Sequence, residues 1–218
     1  MKINKVSAAN IDVSDLSRLM DIEKIDYEKI SYANWKEYPY TPKVMVRLAY
    51  TSDSILLNFK VCESSVRAKY SEDNDPVWTD SCVEFFSIPN NDGVYYNIEC
   101  NCIGTILIGA GKDKQNRERA SKDVTSLVKR WSSLGSKSFD ELKEETTWEL
   151  SLIVPFKAFF KHNIETLDGK TIKANFYKCG DELSNPHFVS WNPIDNPTPN
   201  FHLPEFFADI TFVKKTEE

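Results

Sequence analysis

Lys43-Val44-Met45-Val46-Arg47-Leu48-Ala49-Tyr50 runs into Thr51-Ser52-Asp53 and then into Ser54-Ile55-Leu56-Leu57-Asn58-Phe59-Lys60-Val61. In the first run Val44, Val46, Leu48 and Tyr50 occupy alternate positions, so an extended chain puts all four on one face. Thr51-Ser52-Asp53 has the composition of a turn. Two apolar-rich runs around so short a break predict a β-hairpin.

The same signal recurs outward from this hairpin. Asp80–Ile88 reads as a strand ended by Pro89 and the turn Asn90-Asn91-Asp92-Gly93. Val94–Cys102 and Gly104–Ile108 read as the next two. Trp148, Leu150, Leu152 and Val154 alternate through Thr146–Val154, and Thr171–Cys179 and Phe207–Val213 complete the set. Helical signals are short. Asp12–Met20 suits a helix capped by Asp12 or Ser14, and Asp123 can cap another through Val124, Leu127 and Val128 to Trp131. Pro155 starts one turn to Phe160. Lys112–Lys122 reads as an exposed charged loop. Half of the prolines (Pro186, Pro193, Pro197, Pro199 and Pro204) fall in one stretch, which reads as a long ordered loop ahead of the last strand and its charged tail. Many strands joined by turns predict an all-β fold, an antiparallel β-sandwich of the immunoglobulin or jelly-roll kind with a few short helices. No linker divides the chain. It reads as a single domain, 1–218, with a core over about 40–213 and an N-terminal extension over 1–39.

Composition narrows the function. Acids number 33 and bases 27, for a net charge of −6, which argues against nucleic acid as a partner because phosphates need a basic face. Only 7 of 218 residues are glycine, too few to favour dinucleotide or phosphate loops. No apolar run approaches the ~20 residues that span a bilayer, so membrane insertion is not expected. Met1–Asn10 lacks the apolar stretch of a signal peptide, which points to the cytoplasm as the sequence stands, or to a secreted or periplasmic location if a signal peptide has been removed. Cys62, Cys82, Cys100, Cys102 and Cys179 are odd in number and contain no C-x-x-C, so neither a zinc ribbon nor a thioredoxin-type site is supported. They read as buried free thiols acting as small hydrophobes, which suits a reducing compartment.

Familiar catalytic patterns are missing. There is no G-x-S-x-G, H-E-x-x-H or Walker A run. Gly109-Ala110-Gly111 is a G-x-G fragment with Lys114 in place of the third glycine, and it reads as a turn after a strand. Glu72, Asp73, Asp75 and Asp80 have the composition of a hard-cation site but not EF-hand spacing, so a solvated loop is the ordinary reading, with room for a structural calcium.

The aromatic residues remain: 13 Phe, 9 Tyr and 5 Trp, which must pack or bind. Trp148 sits inside a strand, as core tryptophans do. Trp78 sits in the turn-rich Asp75-Pro76-Val77-Trp78-Thr79-Asp80. A loop tryptophan beside carboxylates can stack on the C–H face of a sugar ring while the acids take its hydroxyls, or it can cap the sandwich end. Glu84, in Cys82-Val83-Glu84-Phe85-Phe86, shares a face with Cys82 and Phe86 and is either solvated or held for a polar ligand.

These residues resemble family 9 of the carbohydrate-binding modules. Val77–Phe86 is similar to its W-x-D-x-x-V-E-x-F signature, and Tyr95-Tyr96-Asn97-Ile98-Glu99-Cys100-Asn101 with Gly104 to its Y-x-x-E-x-N-x-x-G strand pair. Ala49-Tyr50-Thr51, Trp148 before Ile153-Val154-Pro155-Phe156, and Phe207-Ala208-Asp209-Ile210 extend the likeness from about residue 40 to residue 213. The resemblance implies a β-sandwich related to DOMON domains that binds carbohydrate without catalysis. It implies a sugar end held between two tryptophans, a glutamate on the hydroxyls, and calcium supporting the fold. Trp78 takes the place of the first tryptophan and Glu84 that of the glutamate.

No tryptophan stands where the second is expected, near Phe201 and His202. Trp191, ten residues earlier, is the substitute within reach, and Arg117 and Arg119 are candidates for the family's arginine. The expected ligand site is therefore Trp78, Glu84, Asn97, Asn101, Arg117, Trp191, Phe201 and His202, taking a mono- or oligosaccharide, with no catalytic residue and no required cofactor. Two other readings stand beside it. One is a glycoside-acting hydrolase, which needs two facing carboxylates near Trp78. The other is a scaffold that has lost the sugar site. A haem-binding variant ranks last, since Met1, Met20 and Met45 lie in no suggestive loop.

Overall fold

A computed structural model describes residues 1–7 and 11–214. The end of the Met1–Asn10 segment and most of the charged tail lie outside the described residues. The strands run in chain order as β1 (Lys2–Lys5), β2 (Glu28–Ile30), β3 (Tyr32–Ala33), β4 (Lys43–Tyr50), β5 (Ser54–Glu63), β6 (Val66–Ala68), β7 (Cys82–Ile88) and β8 (Tyr95–Asn101). They continue as β9 (Ile106–Gly111), β10 (Arg117–Arg119), β11 (Lys129–Ser132), β12 (Phe139–Leu142), β13 (Thr146–Pro155), β14 (Thr171–Cys179), β15 (Phe188–Ser190) and β16 (Ala208–Val213). The alternation that predicted the hairpin is satisfied: β4 and β5 pair antiparallel, Val44 opposite Val61 and Tyr50 opposite Ile55.

One sheet runs β10-β9-β8-β7-β14-β16-β1-β4-β5-β13-β11 and curls back over itself. Its two halves close on a shared core. Val83 and Phe85 of β7, Ile98 of β8 and Phe176 of β14 meet Leu57 and Phe59 of β5 and Trp148 and Leu150 of β13. Phe85 stacks on Phe176, centroids 5.2 Å apart. The expected β-sandwich is present and mostly antiparallel. The exception is β1, which lies parallel to both β16 and β4.

The first forty residues are built into the sandwich. β1 bridges the two halves, and helix α1 (Leu16–Ile22) packs Leu16 and Met20 on Ala49, Leu56 and Ile153, the outward face of the second half. Asp12 caps the 3-10 turn that leads into this helix, accepting from the Ser14 amide at 2.9 Å.

Three local expectations are corrected. The helix expected from Asp123 to Trp131 is only α2 (Lys122–Thr125), with Ser121 at its N-cap, and Lys129–Ser132 is strand β11. Pairing with β13 satisfies that backbone, and it overrides a weak helical pattern. The G-x-G fragment lies inside β9 rather than in a turn. Gly111 faces Arg117 so closely that a Cβ there would sit 2.6 Å from the Asn116 carbonyl oxygen. The charged loop 112–122 contributes β10 to the sheet edge.

Candidate functional site

The first half-sheet has a second face, and alternation decides what stands on it. Cys82, Glu84 and Phe86 of β7, Tyr95, Asn97 and Glu99 of β8, Gly109 of β9 and Tyr177 and Cys179 of β14 all point away from the main core. The proline-rich segment covers this face. It is pinned by Trp35 Nε1 donating to the Asn196 carbonyl at 2.8 Å, by the Ile194 amide donating to Asn34 Oδ1 at 2.8 Å, and by Asn192 Nδ2 donating to the Phe206 carbonyl at 2.9 Å. Phe201 lies flat on Tyr177, centroids 4.1 Å apart and planes 7° off parallel. Between sheet and cover remains a cavity of about 450 Å³, within the usual range of ~300–1,000 Å³ for ligand pockets.

Trp78 stands at this cavity on a single 3-10 turn, Val77–Thr79, rather than in a plain loop. Its carbonyl accepts from the Asp181 amide (3.3 Å) and from Cys179 Sγ (3.4 Å). Asp80 anchors the turn from below. Fully buried, it accepts from Arg67 Nε (3.0 Å), the amides of Lys69 (2.9 Å) and Tyr70 (3.1 Å), and Asn101 Nδ2 (3.1 Å). Arg119 approaches the Trp78 ring at 6.0 Å.

The polar floor is a relay. Register puts Glu84 directly opposite Glu99. Arg117 packs over the Tyr95 ring at 4.0 Å and donates Nε to Asn97 Oδ1 at 3.1 Å. Its remaining donors reach the carbonyls of Asp113, Tyr95 and Gly109. Asn97 passes the polarity on, donating Nδ2 to Glu99 Oε1 at 2.7 Å. The other oxygen, Oε2 of Glu99, is buried with no hydrogen-bond partner. Gly109 is required beside them, since a Cβ there would sit 2.6 Å from Asn97 Oδ1.

Burial governs the charges. It pushes Glu84 well above the usual carboxylate range, with the neighbouring Glu99 charge adding to it. Glu99 is pushed up to about 7 by burial, against the Asn97 hydrogen bond and the Arg119 and Arg117 charges. Asp181 rises to about 6, chiefly through burial. Burial and the Arg117 charge hold His202 down at about 3, so at neutral pH it is an uncharged ring, its Nδ1 3.0 Å from the Tyr95 hydroxyl.

Six of the residues expected from sequence therefore meet at one cavity: Trp78, Glu84, Asn97, Arg117, Phe201 and His202. Two do not line it. Asn101 is fully buried and fully engaged, donating to Tyr70 O and Asp80 and accepting from the Ile103 and Thr105 amides, so it clamps the β8–β9 turn. Trp191 packs edge-on against Phe176, centroids 5.6 Å apart, and Phe176 belongs to the core face of β14. Glu99, Lys114, Asp181 and Gly109 line the cavity without having been assigned. For Glu99 the signal was its place two residues after Asn97 on one strand face.

The acidic cluster does not fit calcium. Asp80 is spent on Arg67 and three other donors, and Asp73 takes Arg130 with both oxygens, at 2.6 and 3.1 Å. Glu72 is exposed, with Lys122 4.0 Å away. A hard cation needs six or more oxygens, and those of Asp80 and Asp73 are already committed to protein donors.

A family model described as carbohydrate-binding family 9 matches residues 14–212. Among solved structures, the chain is similar to a candidate carbohydrate-binding protein of Bacteroides uniformis ATCC 8492. Identity is 47%, coverage 97% of this chain and 98% of that one, and the TM-score 0.95. It is also similar in fold to a family 9 module of Caldicellulosiruptor kristjanssonii in complex with glucose, with TM-score 0.62, 12% identity, and coverage of 100% and 97%. A family 9 module of the same organism in complex with cellotriose gives TM-score 0.63, 12% identity, and coverage of 100% and 96%. No curated protein matches the chain.

Proposed function

This chain belongs to carbohydrate-binding family 9, and we propose that it is a non-catalytic binding protein which takes one end of a glucose-type saccharide into the cavity at Trp78. The observation that carries this reading is the bare Oε2 of Glu99. A buried acceptor without a donor costs free energy, ~1–3 kcal/mol, which a ligand hydroxyl would recover. The Trp78 ring supplies the apolar surface for a sugar's C–H face. Glu84, whose burial favours its neutral form, adds a second polar group to the floor beside Glu99. Arg117 donates to Asn97 and to the carbonyls of Asp113, Tyr95 and Gly109, so it positions Asn97 and through it Glu99. The relatives bound to glucose and to cellotriose are consistent with this choice of sugar.

Hydrolysis fits the geometry less well. A glycosidase places its two carboxyl groups on either side of the scissile bond. Glu84 and Glu99 instead rise side by side from adjacent strands of one floor. Affinity should be modest, since each hydrogen bond exchanged with water nets only about 1 kcal/mol. Titration calorimetry with glucose, cellotriose and a panel of other sugars tests the proposal. Heat of binding that is lost in Trp78→Ala supports it. No heat with any sugar, or steady turnover of a chromogenic glucoside, overturns it.

A further inference from the structure

The sugar reading uses Glu84 but gives no role to the two thiols beside it, Cys82 and Cys179. Cys82 and Glu84 are two residues apart on β7, so they share a face, and Cys179 of β14 is the direct cross-strand partner of Cys82. The two sulfurs and a Glu84 carboxylate oxygen all lie within 4.8 Å of one another, and all three residues are buried. Cys179 and Glu84 line the cavity, which gives the cluster a way in from solvent. Glu84 Oε1 accepts from a weak thiol donor, Cys179 Sγ, at 3.1 Å. Hydrophobic packing explains one buried cysteine. It does not explain two facing thiols with a carboxyl beside them.

We propose that Cys82, Cys179 and Glu84 form a binding site for a soft divalent cation of the zinc class, with its fourth coordination position open to the cavity. Two thiolates select zinc over calcium or magnesium, which want oxygen alone. Zn–S bonds of ~2.3 Å set tetrahedral sulfurs roughly 3.8 Å apart, so the three donors close on an ion with small side-chain rotations. Each thiol, and the Glu84 carboxyl with them, gives up its proton to water as the metal binds, with no change of oxidation state. The two thiolates, the carboxylate and the ion together carry one negative charge, and Arg117 and Arg119 line the same cavity. Three protein ligands with an open position are the pattern of zinc sites that engage a ligand rather than only brace a fold. The sequence hides this site because a zinc motif is sought at loop spacing, whereas here strand register assembles it.

Cobalt(II) titration of the reduced, chelator-treated full-length protein tests the site. The expected result is a thiolate-to-cobalt charge-transfer band that saturates at one equivalent and is bleached by Zn²⁺. The band should vanish in Cys82→Ser and Cys179→Ser and persist in Cys62→Ser. Glu84→Gln keeps both thiols, and it should weaken cobalt binding tenfold or more with the circular-dichroism spectrum unchanged. Absence of the band in the folded wild-type protein overturns the proposal. So does a band that survives Cys179→Ser, or a Cys82–Cys179 disulfide in protein purified without reductant. Glucose titration of the metal-free protein is a separate readout, so failure of the metal site and failure of the sugar site are distinguishable.

Discussion

Asn97 donates its Nδ2 to Glu99 Oε1 at 2.7 Å and leaves Glu99 Oε2 buried without a donor. Arg117 fixes the Asn97 amide from the other side, so the orientation of Glu99 is set before any ligand arrives. Glu99 is thus a preformed acceptor, held by groups that do not themselves need a ligand.

Glu99→Gln should change the pH dependence of stability. The folded-state value of Glu99, about 7, lies above its ordinary 4.5. Its contribution is therefore fully present below about pH 4.5 and is lost as pH rises through 7, because the folded state binds the proton more tightly than the unfolded one. The loss is on the order of 3 kcal/mol for a shift of this size. His202, pushed down to about 3, acts in the opposite sense below pH 6.5, so the wild-type profile alone is mixed. The difference between wild type and Glu99→Gln reports Glu99 together with its effect on the neighbouring Glu84, and both act in the same sense. In urea unfolding the variant should gain on the wild type between pH 4.5 and pH 8. A constant difference would refute the assignment.

Gly109→Ala should damage binding more than folding. The new Cβ meets the end of the Asn97 side chain rather than backbone, so the strand can persist while the amide is displaced. Sugar affinity should fall about tenfold, ~1.4 kcal/mol, with the melting temperature moved only a few degrees. Unchanged affinity would show that Asn97 does not position the acceptor.

Trp78→Ala and Trp191→Ala should separate binding from stability. Loss of the Trp78 ring should cost tenfold or more in sugar affinity, since stacking contributes ~0.5–1.5 kcal/mol beyond buried area. Trp191 packs on Phe176 instead, so its loss should cost roughly 1–3 kcal/mol of unfolding free energy and leave affinity within twofold. The reverse pattern would place the site elsewhere.

Glu63→Gln should be among the most destabilising single changes. Glu63, Lys178 and His187 are fully buried where the two halves of the sheet meet. Lys178 Nζ lies 2.8 Å from Glu63 Oε2, outside hydrogen-bond alignment, and donates to the Cys179 carbonyl at 2.8 Å. It also lies 2.7 Å from His187 Nε2. Burial and the Lys178 charge keep His187 neutral, so it accepts at Nε2 and donates from Nδ1 to the Asn185 carbonyl. Glu63 also receives Trp148 Nε1 at 2.7 Å. Removing the one negative charge strands a buried ammonium, at a cost of about 3–5 kcal/mol. A denaturation midpoint equal to wild type would contradict this.

The strands were legible because alternation acts locally. Val44, Val46, Leu48 and Tyr50 announce their face without reference to the rest of the chain. β1 was not, because four residues at a terminus carry no period, and their place between β16 and β4 depends on partners more than forty residues away. The same divide runs through the site. Trp78 and Glu84 stood out by position and by resemblance. Glu99 gains its meaning from lying opposite Glu84, and Trp191 loses its expected role because Phe176 draws it to the core face. Cross-strand register, which one sequence does not display, decided each case.

A crystal structure of the protein soaked in glucose tests the central claim most directly. The account predicts one sugar ring in the cavity, its C–H face on Trp78 and a hydroxyl donating to Glu99 Oε2. A sugar bound on any other surface, or an empty cavity at saturating glucose, would contradict it.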